Sequence, residues 1–175
     1  MKNIVLSIAL LAFGFGIGSC TSQSSDHSST GHDMGQMTHH AGVNERGDQV
    51  MGFDHDKTTH RFRLLPDGGA IEVTANYDTD VSSRDKIREH LGHIAKLFSS
   101  GNFEAPMLIH GREPAGVPTM KRLTSDINFR YQEIDKGGLV SISTANPDAV
   151  AAIHEFLRFQ IEDHKTGDPT EVEKN

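Results

Sequence analysis

Between residues 60 and 164 the chain states one pattern twice, so any fold it adopts must hold two copies of a strand, strand, helix unit. In the first copy, residues 60–65 and 70–76 alternate apolar and polar side chains on either side of Pro66, Asp67, Gly68 and Gly69, which reads as a hairpin. The second copy puts residues 128–134 and 139–146 around Asp135, Lys136, Gly137 and Gly138. Phe62 aligns with Tyr131, and Ile71 and Val73 align with Val140 and Ile142. The paired glycines read as turn residues that supply positive φ.

A helix is expected after each hairpin. The first has Ser82 or Ser83 as its cap, Asp85 in its first turn, an apolar stripe of Ile87, Leu91, Ile94 and Phe98, and Gly101 as its stop. The second opens on Asn146 as N-cap with Pro147 and Asp148 behind it, carries Val150, Ile153, Leu157 and Ile161, and ends before Gly167 and Pro169. Ile87 and Leu91 match Ile153 and Leu157 at a common offset. The expected fold class is α+β: two strand-strand-helix repeats form a four-stranded antiparallel sheet with both helices on one face. The other face lies open to water or is covered by the connector, residues 102–125. Within the connector, residues 106–110 suit a short strand, 114–118 a turn-rich loop and 119–123 a helical turn.

The N-terminus has the three parts of an export signal: Lys2, an apolar run over residues 4–17, and the small Gly18 and Ser19 before Cys20. The run is shorter than the about 20 apolar residues a permanent membrane span needs. Residues 1–19 are therefore expected to be a signal peptide. Ile17-Gly18-Ser19-Cys20 resembles the lipobox of bacterial lipoproteins, which implies a diacylglycerol thioether on Cys20 and a mature chain tethered to a membrane outside the cytoplasm. An ordinary secretory signal with a chance cysteine is the alternative. Residues 20–50 are expected to be a disordered tether, because from Thr21 to about Asp48 there is little aliphatic surface to offset chain entropy. A single globular domain is expected over residues 51–169, and 170–175 form a polar tail.

Cys20 is the one cysteine, so lipidation leaves no thiol for disulfides, nucleophilic catalysis or thiolate metal sites. The formal charge of −7 argues against a nucleic-acid partner. A metal would have to be held by His, Met or carboxylate. The tether offers His27, His32, Met34, Met37, His39 and His40, and imidazole with thioether suits copper better than hard cations. This composition resembles the His/Met-rich tails of periplasmic copper-handling proteins; a polar spacer with incidental histidines is the bland alternative. The domain adds His55, His60, His90, His93, His110, His154 and His164.

His90 and His93 are spaced i, i+3 and could share an ion, while His154 and His164 fall inside the apolar stripe of the second helix. Met51, Met107 and His110 are the residues that could complete a site. For any one of these histidines the ordinary role is structural, and His164 near a helix C-terminus is favourable on electrostatic grounds alone. No Gly-x-Ser-x-Gly, no His-Glu-x-x-His and no phosphate-binding glycine loop is present.

The blocks MGFDHDKTTHRF at residues 51–62 and AIHEFLRFQIEDHKTGDP at 152–169 resemble those of a family of small exported bacterial proteins without an established activity. Some of its members carry the label aspartate carbamoyltransferase, an enzyme whose Ser-Thr-Arg-Thr-Arg phosphate motif this chain lacks. The resemblance implies the extent of the domain and its export. Together these features lead to a membrane-anchored lipoprotein of the cell envelope that binds a soft or borderline metal ion, copper foremost. Two rival readings are a module that docks another envelope protein, with structural histidines and no metal, and a metal-dependent enzyme.

Overall fold

The computed structural model describes residues 30–174, with side chains at 39 and from 41 onward. Two hairpins form one antiparallel sheet. β1 (Thr58–Leu65) pairs with β2 (Gly68–Ala75), and β3 (Asn128–Ile134) pairs with β4 (Gly137–Ser143). The strand order is β1-β2-β4-β3, so the second strands of the two repeats meet at the centre with Ile71 opposite Val140. The repeat is kept in the register, since Phe62 faces Ile71 just as Tyr131 faces Val140. It is kept in the turns as well: Ala75 N–H donates to Lys136 O and Thr144 N–H donates to Asp67 O, each over 2.9 Å.

The paired glycines do more packing than turning. The hairpin turns are Pro66–Asp67 and Asp135–Lys136, and the glycines open the following strands. Only Gly68 among the four has a positive φ, 147°. A Cβ on Gly69 would collide with Leu157, and one on Gly138 would press on Leu91 and Tyr131. These glycines let matched helix leucines sit directly on the sheet.

Those leucines belong to α2 (Val81–Ser99) and α5 (Pro147–His164), both on the face that carries Phe62, Val73, Val140 and Phe129. α2 lies mainly over β3 and β4, and α5 lies over β1 and β2, so each helix covers the other repeat's hairpin. The N-cap of α2 is Asp80 rather than Ser82 or Ser83; its carboxylate accepts from the Ser83 amide at 3.0 Å and the Ser83 hydroxyl at 2.7 Å. Asn146 caps α5 as expected, accepting from Asp148 N–H at 3.0 Å. The left-handed residue that ends α5 is Lys165, φ 52°, and not Gly167.

The connector packs beside the helices and leaves the outer sheet face open. Its residues 106–110, expected as a strand, belong to a helix, α3 (Glu104–His110). Pro106 sits in the first turn, where its missing N–H costs nothing, and Gly111 stops the helix at φ 65°. The expected helical turn is α4 (Val117–Arg122). On the outer face Arg61, Arg63, Arg130 and Gln132 are exposed, and none of the large exposed apolar residues (Tyr77, Val81, Leu108, Val172) lies on a strand. The C-terminal tail runs along the free edge of β1: Phe62 N–H donates to Asp168 and Glu173 N–H donates to Leu64 O, at 2.9 and 2.8 Å.

The expectation of a disordered tether is corrected from Thr30 onward, where α1 (Thr30–Met51) begins. Its last three turns dock on α3 and α5 through Val43, fully buried, and Met51, which is 9% exposed. The buried Gly47 leaves room for the Met51 and Ile109 side chains, and Arg46 donates to Ile109 O at 2.8 Å. Few apolar residues were needed because small size and polar bonds carry the docking. Among the described residues no helix is long and apolar enough to cross a membrane.

Candidate metal centre

Four of the domain histidines come from four different elements and line one cavity of about 60 Å³. His60 points inward from β1, His90 comes from α2, and His110 and His164 stand at the C-terminal ends of α3 and α5. Met51, from the end of α1, and Gln160, from α5, also line it. Alternation on β1 puts His60 on the same face as Phe62, and the 3.6-residue period of α5 puts His164 one turn beyond Gln160.

The rings touch. His60 and His164 stack with centroids 5.5 Å apart and planes 6° from parallel, and His110 meets His164 edge-on at 5.0 Å. Phe53 bridges His60 and His90 at 6.0 and 5.7 Å. Burial drives the His60 imidazole down to about 4, helped by the neighbouring His55 and opposed by Asp48. His90 is likewise lowered to about 4, first by burial and then by His60 and His93. Both rings are therefore neutral at pH 7, with a lone pair available to a ligand.

His110 is the most enclosed of the four, 2% exposed. Burial lowers its pKa against the pull of Asp163, whose carboxylate lies 2.5 Å from Nδ1. Asp163 also accepts from His39 at 3.0 Å and Arg112 at 2.9 Å. Burial pushes its carboxyl up, but the hydrogen bonds from His110 and His39 prevail and hold it below the ordinary range. On the other side of His110, Nε2 lies 3.0 Å from the side-chain oxygen of Gln160, whose amide nitrogen is buried without a hydrogen-bond partner. A neutral His110 that gives its one proton to Asp163 leaves a lone pair at Nε2. Turning the amide over satisfies that lone pair and leaves the Gln160 oxygen as the unpaired atom, so in either orientation one polar atom of Gln160 lacks a partner.

The other expected ligands separate from this group. His93 is exposed and faces Tyr131 and Gly92 on a surface groove, so it does not share an ion with His90. An i, i+3 spacing put the two on adjacent sides of the helix, and only one side faces the core. His154 is buried and its Nε2 donates to Leu65 O at 2.9 Å, a structural role. Met107 lies against Lys121, away from the cavity. Of the tether residues, His39 is fixed on Asp163; Cys20 and His27 lie outside the described residues, as do the side chains of His32, Met34, Met37 and His40.

Gln160 and Asp163 were missed, and so was the signal that finds the cavity. The offset carrying Phe62 to Tyr131 carries His60 to Phe129. The offset carrying Ile87 to Ile153 carries His90 to Phe156, Phe98 to His164 and Ile94 to Gln160. Phe98, Phe129 and Phe156 form one aromatic cluster, with Phe98 5.7 Å from Phe129 and 6.0 Å from Phe156. Where one end of the core has three phenylalanines, the matching end has three histidines.

Among the described residues one trio of His and carboxylate ligand atoms lies within 4.8 Å: Asp48, Asp54 and His55. Local structure accounts for it. Asp54 caps a short 3-10 turn and pairs with Lys57 at 3.4 Å, while His55 lies between Asp48 and Asp56 at 3.1 and 3.2 Å.

Fold and cavity together define an α+β domain of two exchanged repeats with an imidazole-lined cavity at one end of its core. Comparison with protein-family models, with curated proteins and with solved structures finds no match.

Proposed function

We propose that this chain is an exported lipoprotein, anchored through Cys20, that binds a soft or borderline metal ion, copper before others, for capture, storage or delivery. The supporting observation is the gathering of four imidazoles and the Met51 thioether on one cavity, three of the imidazoles (His60, His90 and His164) at positions whose repeat counterparts are phenylalanine. Three phenylalanines there would each contribute ~1.5–3 kcal/mol of burial. Imidazoles forgo much of that, and nitrogen and sulfur donors are what soft and borderline ions take. The helix that carries Met34, Met37, His39 and His40 ends at Met51 on the cavity wall, which puts the His/Met-rich segment and the cavity in one unit. The docking alternative gains nothing from the outer sheet face, which is polar and without a contiguous apolar patch.

Titration of the lipid-free mature protein with Cu(I) and Cu(II), against the His60→Phe/His90→Phe/His164→Phe variant, tests this reading. Wild type is expected to bind copper at the cavity and the variant to lose that binding while staying folded. Protein that purifies metal-free and ignores added copper would overturn it.

A further inference from the structure

We propose that the cavity is selective for a monovalent soft cation, Cu(I), and discriminates against divalent ions. This inference rests on the metal-binding reading above and names the charge state of its cargo. Among the described residues, no Asp or Glu lines the cavity. Of the carboxylates nearby, Asp163 sits behind His110 and is already shared with His39 and Arg112, and Asp48 is bound by His55. Apart from its donors, the wall is carbon, including the buried Ile71, Val73, Ile94 and Phe98. The cost of moving an ion from water into such surroundings grows with the square of its charge, so a divalent ion faces about four times the penalty of a monovalent one.

Zinc asks for four donors in a tetrahedron and Cu(II) for a tetragonal set of N and O donors. Among the described residues no three His or carboxylate ligand atoms of this cavity come within 4.8 Å of one another. A linear or trigonal Cu(I) ion needs only two or three donors, and His60, His90 and Met51 all line this cavity.

Thioether selects Cu(I) over the divalent first-row ions. Met51 lines both this cavity and an adjoining open pocket of about 240 Å³ that it shares with His60 and His164. Met51, His60 and His164 therefore border both spaces. The unpartnered amide of Gln160 adds a polar atom on the inner side.

The experiment uses the lipid-free mature chain with its tether residues intact, without oxygen, and Ag(I) as a redox-inert stand-in for Cu(I). Imidazole NMR resonances of His60 and His90 are followed during additions of Ag(I), Cu(I) and Zn²⁺, and copper X-ray absorption reports sulfur neighbours. The expected result is that the monovalent ions shift both resonances and Zn²⁺ does not. A sulfur neighbour disappears in Met51→Leu, and affinity at the cavity falls by ~100-fold in His60→Phe/His90→Phe. Zn²⁺ shifting both resonances at comparable affinity would overturn the monovalent inference and leave the metal reading standing. Failure of every ion to move them would overturn both.

Discussion

The two ends of the core answer the same packing problem differently. Around Phe98, Phe129 and Phe156 the rings meet edge to face, and Phe103 from the connector joins them 4.5 Å from Phe98. Around His60, His90 and His164 the matched positions carry imidazoles, and it is again the connector, through His110, that joins the group. One end maximises apolar burial and aromatic contact. The other gives up transfer free energy to keep nitrogen lone pairs in a cavity. The repeat supplies a duplicated frame, and at one set of matched positions, drawn from both copies, imidazoles stand where the other set packs phenylalanine.

The largest effect should come from exchanging the two solutions. Phe156→His replaces a ring packed on Phe98 and Phe103 at the border of the cavity and should cost ~3–5 kcal/mol in chemical denaturation. His90→Phe should leave stability within about 1 kcal/mol of wild type or raise it. Equal losses from the two changes would break the comparison. Next comes Asp163→Asn. It removes the buried anion that His39, His110 and Arg112 share, and should cost ~3 kcal/mol. Hydrogen exchange at Val43 should rise with it, as α1 loses its His39 contact.

As pH falls from neutral, acid should act first on the histidine end. His60 and His90 titrate at about 4 in the folded protein against 6.5 for a free imidazole. Below pH 6.5 the unfolded chain therefore takes up protons that the folded chain refuses. Their stabilisation is complete above pH 6.5 and drains away toward pH 4, by up to ~3 kcal/mol for each ring. The His60→Leu/His90→Leu variant should flatten the denaturation midpoint over that range, and an unchanged slope would contradict the burial ascribed to these rings. The smallest effect separates the two helix ends. α2 is followed by Gly101 at φ 76°, whereas α5 places Lys165 at φ 52°. Lys165→Gly should stabilise by ~0.5–1 kcal/mol in thermal denaturation.

Much of this frame was legible in the letters, because the sheet and its helices rest on local periods that recur. Phe62 with Tyr131 and Ile71 with Val140 were matched as repeat equivalents and take equivalent register positions, and Asn146-Pro147 foretold a helix start to the residue. Residues 106–110 misled because a five-residue apolar run fits a strand or a short helix equally well, and only the packing of α3 against α1 decides. α1 escaped notice because its docking uses Val43, Gly47 and hydrogen bonds, with no apolar stripe to mark it. The glycine pairs were seen, but their reason was not: Gly69 and Gly138 exist for Leu157 and Leu91, which are far away in the chain.

By itself the sequence determined the duplicated hairpins, the helices that follow them, and an unusual wealth of imidazole and thioether, all of which are properties of neighbouring residues or of composition. Only the tertiary structure decided that each helix crosses to the other repeat's hairpin, which brings His164 of α5 onto His60 of β1 and leaves His93 outside. The physical reason is that a side chain's direction is set locally, by strand alternation or helical period, whereas what it meets depends on which distant surface buries the same face.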